Sequence, residues 1–106
     1  VSQTVFLFRT QVIKENPEAV KAAVRAYGAA GQALTAHPDQ YRELFLEKAQ
    51  IPSDIKDSYQ MPTFSKLQLP TEEEIKSVMD WMVAKNLIPQ AYSYQDLVDP
   101  SLLPGQ

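Results

Sequence analysis

The chain has 106 residues, 44% hydrophobic and 22% charged, an ordinary balance for one soluble globular domain and a poor one for disorder. With no cysteine, disulfides, thiolate nucleophiles and cysteine-based zinc or iron–sulfur centres are excluded. A net charge of -3 provides no basic surface for a phosphate backbone, so nucleic acid is not an expected partner. No apolar run approaches the ~20 residues that span a bilayer. The opening Val1-Ser2-Gln3-Thr4 has neither the basic stretch nor the apolar core of a signal peptide. It does not start with methionine, so the expectation is a processed product or a piece of a longer protein.

Residues 4–8, Thr4-Val5-Phe6-Leu7-Phe8, are β-branched and aromatic and apolar on both faces, the pattern of a short buried strand. Only the weak alternation Ser65-Lys66-Leu67-Gln68-Leu69 offers it company. A lone strand leaves backbone groups without partners, which predicts that its sheet is completed by other sequence or by a second copy.

Asn16-Pro17-Glu18 is a helix start, with a capping asparagine, a proline suited to the first position and a glutamate at the positive dipole end. Val20, Ala23, Val24, Tyr27, Gly31 and Leu34 recur at helical offsets and predict a helix over about 17–36. Gly28 and Gly31 each cost roughly 0.5–1 kcal/mol against alanine, so close packing by another part of the protein is expected there. His37-Pro38-Asp39 ends this helix and opens a second, about 38–49, with Tyr41, Leu44, Phe45 and Ala49 as its stripe. Ser53 or Asp54 caps a short helix over about 54–59, and 60–70 is irregular or extended between its prolines.

Thr71-Glu72-Glu73-Glu74 is a capping-box signature and opens a helix over about 72–85. Its expected buried stripe is Ile75, Val78, Met79, Met82 and Val83, with Trp81 on the flank. Asn86 suits left-handed geometry after it. A last turn over about 94–98 precedes a tail in which Leu102-Leu103 reads as an anchor.

Sites are sparse. His37 is the lone histidine, too few for a triad or a histidine-rich metal centre, and its position at a helix junction explains it structurally. The acidic run 72–74 is accounted for by capping and the dipole. Asp39, Asp54 and Asp57 lack calcium-loop spacing. Three unclustered glycines make no phosphate-cradling loop, so no cofactor is expected. Tyr41, Phe45, Tyr59, Phe64, Trp81, Tyr92 and Tyr94 could line a ligand site, though at helical spacing most are expected in the core; Tyr59 and Phe64 are singled out because they lie in or next to irregular chain, where binding residues concentrate. Arg9, just after the apolar run, is the one cation placed for an anion at a strand end; a surface ion pair is the plainer reading.

The ordered string carries more than any one residue. A strand-like run, then Val12-Ile13-Lys14-Glu15-Asn16-Pro17-Glu18-Ala19-Val20-Lys21, resembles the segment "F-I-K-x-N-P-E-x-V-K" of bacterial substrate-binding proteins. The branch is that for nitrate, sulfonate and taurine, which includes pyrimidine-precursor binders. The likeness continues through His37-Pro38-Asp39 and Leu44 to Ala49, then Thr71-Glu72-Glu73-Glu74 to Trp81-Met82-Val83. It closes on Lys85-Asn86-Leu87-Ile88, Asp96-Leu97-Val98-Asp99 and Leu102-Leu103. Asn86 stands where the family usually has glycine.

This resemblance covers nearly the whole chain but only the C-terminal third or so of a family member. It implies a mainly α fold with one N-terminal strand, a single domain or fragment over 1–106. That fragment would be the C-terminal portion of a two-lobed α/β type-2 periplasmic binding protein. The implied function is the non-catalytic solute-binding component of an ABC uptake system, periplasmic or attached to the bacterial cell surface. Its implied partners are the missing N-terminal lobes, an ABC permease, and a small anionic or zwitterionic ligand for which no residue here matches a contact motif. Self-association through the strand is also expected. The alternative is a free-standing helical protein-interaction module. An enzyme comes third, since the pyrimidine-synthesising branch uses histidine-rich chemistry that one histidine cannot reproduce.

Overall fold

Helix starts written into the sequence set the architecture. The computed structural model describes residues 4–103, and among them the order is α1 (Thr10–Glu15), α2 (Pro17–Ala36), α3 (Pro38–Lys48), α4 (Glu72–Ala84) and α5 (Tyr94–Leu97). Short 3-10 turns occupy Ser53–Ile55 and Pro100–Leu102. Two compact units can be distinguished. The first comprises the described residues through Arg25 together with those from Gln68 on, and the second is Ala26–Leu67.

No strand forms among the described residues, which overturns the expected N-terminal strand over 4–8 and, with it, the reading of the fold as a fragment of an α/β binding protein. The physical reason lies in pairing. A run of high β propensity becomes a strand only when a second one supplies its ladder, and the 65–69 alternation does not do so. Residues 4–9 are instead non-helical chain in which Phe6 and Phe8 stack at 5.8 Å between ring centroids, while Leu7 is 85% exposed. The chain then turns directly into α1, a six-residue helix hidden in the sequence by its β-branched Thr10, Val12 and Ile13.

In the first unit, Asn16 ends α1 and caps α2, its Oδ1 accepting from the Ala19 amide at 3.4 Å. Proline at the next position makes the break compulsory for α1 and harmless for α2. Val20 and Val24, one turn apart, are the two buried residues of α2. The capping box that opens α4 is complete: Thr71 Oγ1 accepts from the Glu74 amide, and Glu74 Oε1 accepts from the Thr71 amide, both at 3.1 Å. Tyr94 Oη donates to the Pro70 carbonyl at 2.6 Å, tying α5 to the approach of α4. Leu102, delivered by the final 3-10 turn, is buried as the anchor reading expects.

In the second unit, the extended segment ending at Leu67 runs antiparallel along α2. A Cβ at Gly31 would lie 3.1 Å from Phe64 Cβ, and one at Gly28 would lie 3.2 Å from Leu67 Cδ1. The two glycines therefore make room for side chains of an irregular segment rather than for a second helix. Thr35, one turn beyond Gly31, pins that segment by accepting from the Phe64 amide at 2.8 Å and donating to the Gly31 carbonyl at 2.8 Å. Only Ser53–Ile55 is helical, as a 3-10 turn followed by hydrogen-bonded turns that reach Tyr59, where a helix over 54–59 is expected.

Both α3 and α4 end in Schellman motifs. The Ile51 amide reaches the Leu46 carbonyl at 3.0 Å, and the Leu87 amide the Met82 carbonyl at 2.9 Å. Their left-handed residues are Gln50 (φ 55°) and Asn86 (φ 59°), and asparagine tolerates this geometry better than glutamine does. Gln50→Gly should therefore raise stability by about 1 kcal/mol, and Asn86→Gly by less. Urea melts of the two variants check the order.

Candidate functional site

Each unit carries a half-open concavity. In the second unit, a cavity of about 350 Å³ forms where the end of α2, the start of α3 and the chain after Tyr59 meet. Its apolar walls are Leu34, Pro38, Met61 and Pro62, and its polar groups include Asp39, Arg42 and Tyr59. Arg42 is oriented by donating from its guanidinium to the Lys56 carbonyl across the second unit. The Tyr59 ring is fixed by stacking on Phe45 at 6.2 Å between centroids. Asp39, in the first turn of α3, sits where the helix dipole favours a carboxylate.

In the first unit, a cavity of about 500 Å³ lies between α4 and the chain from Ala91 to Gln95. Glu72, Glu73 and Asp80 give it an acidic rim, with Lys76 among them and Tyr92 and Tyr94 opposite. Lys76 Nζ is paired with Asp80 at 2.6 Å, and Tyr94 spends its hydroxyl proton on Pro70. Much of the polar capacity of this cavity is thus turned inward, toward holding α4 and α5 in place.

The residues singled out in the sequence scatter. Tyr59 lines the cavity of the second unit, whereas Phe64 is packed over Gly31. Arg9 is exposed and donates to Gln11 Oε1 at 3.3 Å, at the entrance of α1 instead of a strand end. His37 is exposed at the junction of α2 and α3 and makes no capping hydrogen bond from its side chain. Among the described residues no three His, Cys, Asp or Glu side chains gather as a metal site would require. Nor is any described helix long and apolar enough to cross a membrane. Arg42 escaped the sequence reading, because its partner is a backbone carbonyl fourteen residues away that no side-chain pattern announces.

What the surface offers most plainly is apolar area. Among the described residues only Val20, Val24, Leu46 and Leu102 are buried hydrophobics, while Val5, Phe6, Leu7, Val78, Trp81 and Leu87 are each close to half exposed or more. Such side chains contribute to stability or to binding only when something covers them. No protein-family model, curated protein or solved structure matches this chain.

Proposed function

We propose that this chain serves as a C-terminal helical segment of the solute-binding component of an ABC uptake system, exported to the periplasm or cell surface, and performs no chemistry of its own. The carrying observation is one of placement. The stretches that resemble the nitrate, sulfonate and taurine binders fall on helix starts and on the tail: Asn16-Pro17 opens α2, His37-Pro38 opens α3, Thr71 caps α4, and Asp96-Leu97 leads to Leu102. The exposed Val5, Phe6, Leu7 and Leu87 of the first unit support a role beside further parts of the same protein, which would cover them. In such a system the binding component as a whole holds a small anionic or zwitterionic ligand. Higher affinity for the closed arrangement shifts a hinge equilibrium, and the loaded form is passed to the permease.

Calorimetry on two samples tests the reading. The intact gene product should be longer than this chain and bind nitrate or an alkanesulfonate, while the 106-residue chain alone takes up neither in a saturable way at micromolar concentration. Micromolar binding by the chain alone, or an intact product no larger than it, would overturn the proposal. The second outcome would favour a free-standing interaction module, the reading to which the exposed Val78 and Trp81 lend weight.

A further inference from the structure

Two opposite charges of the second unit stand one helical turn apart without pairing. Asp39 and Arg42 occupy positions i and i+3 of α3, a spacing at which a carboxylate and a guanidinium attract each other. Both line the cavity of about 350 Å³. Asp39 nevertheless has no ion-pair or hydrogen-bond partner among the described residues. The reason lies with Arg42, whose Nη2 donates to the Lys56 carbonyl; that bond holds the guanidinium away from Asp39 and leaves most of its N–H groups unspent.

This pair of charges selects the ligand by sign. An anion drawn to Arg42 meets the like charge of Asp39 close by, and a cation drawn to Asp39 meets that of Arg42. A ligand that carries both signs is attracted by both groups and repelled by neither. Since the two side chains leave the helix one turn apart, its charges must lie close together, as the ammonium and carboxylate of an amino acid do. The cavity is at the lower end of the ~300–1,000 Å³ range of small-molecule sites, so the occupant is small. Leu34, Met61 and Pro62, each half-buried, add apolar walls that an aliphatic side chain would cover.

We infer that the cavity of the second unit binds a free aliphatic amino acid, with its ammonium on Asp39, its carboxylate on Arg42 and its side chain against Leu34, Met61 and Pro62. The site is built within Ala26–Leu67 alone. It goes beyond the transport reading, whose test uses nitrate and an alkanesulfonate at micromolar concentration, so either can fail without the other. The cavity is half-open and water screens its charged contacts, which sets the dissociation constant on the order of 1 mM.

Amide chemical shifts of the 106-residue chain, followed while leucine is added to about 20 mM, report both the place and the strength of binding. The expected result is saturable movement confined to amides within 34–42 and 59–63. Isocaproate, which lacks the ammonium, and leucinamide, which lacks the carboxylate and is protonated below neutral pH, should each bind about fivefold more weakly. Asp39→Asn should weaken leucine about fivefold and leave isocaproate no weaker, because it removes the charge that repels a carboxylate. Arg42→Met should weaken leucine and isocaproate alike and leave leucinamide no weaker. Arg42→Met also frees the Lys56 carbonyl, so if that variant unfolds, Asp39→Asn decides the matter, being a change at an exposed position. No saturable shift with leucine, movement centred outside the cavity, equal affinity for the three compounds, or leucine binding unchanged in Asp39→Asn would refute the inference.

Discussion

Leu46→Ala should unfold the second unit first. Within Ala26–Leu67, Leu46 is the one buried side chain, 7% exposed, so the unit has no other fully enclosed apolar group to share the loss. Truncating a buried leucine to alanine costs about 2–5 kcal/mol, the transfer of the removed atoms plus the cavity left behind. A marginal domain has only ~5–15 kcal/mol of stability in all, so even the lower figure is a large fraction of what a 42-residue unit can hold. The position also carries a second duty: the Leu46 carbonyl receives the Ile51 amide in the Schellman motif that ends α3. Native-state hydrogen exchange should show protection lost at the Phe64 and Ile51 amides before those of α4. Equal loss in both units, or a change under 1 kcal/mol in urea melts, would contradict this placement of the core.

Much of the helical framework was legible because caps and prolines are local devices. Asn16-Pro17, His37-Pro38 and Thr71 to Glu74 specify where a helix begins through atoms at most a few residues away, and the structure begins helices there. The same holds for Asn86, whose left-handed backbone follows from its own side chain. The strand over 4–8 failed because it is not local: β propensity states a preference, and the partner that realises it lies elsewhere. The alternation at 65–69 was also misleading, since Leu67 is held against Gly28 by the course of the chain along α2.

Helix faces were read less well than helix ends. Periodicity placed Val78 in the buried stripe of α4, yet it is 46% exposed, and Met82 is only half-buried. Helical spacing shows that an apolar side exists; a helix apolar over a wide arc leaves undecided which part of that arc is covered. For the same reason Met82→Ala should fall below the ~2–5 kcal/mol range of a fully enclosed side chain. The candidate cavities were the least legible of all. Tyr59 was visible as an aromatic in irregular chain, whereas the cavity it lines depends on Arg42 being held by the Lys56 carbonyl, a contact between backbone and side chain with no sequence signature.

Leu102→Ala is expected to cost about 2–4 kcal/mol and to release the tail from the first unit. Leu102 is 8% exposed, and the 3-10 turn that it closes sets its approach. Asp99 imposes it: its Oδ1 accepts from the Ser101 amide at 3.0 Å and from Ser101 Oγ at 2.6 Å, closing the turn before Leu102. Pro100 fixes the first backbone angle of that turn and lowers the entropy the tail must give up. Asp99→Ala should therefore reproduce part of the Leu102→Ala loss, by about 1 kcal/mol, without removing any apolar atom. The double variant separates cause from coincidence. If Asp99 acts by delivering Leu102, the two losses combine to less than their sum, because a tail already released has nothing left to deliver. Strict additivity in a double-mutant cycle would instead make the turn and the anchor independent, and the tail would be held by contacts other than Leu102.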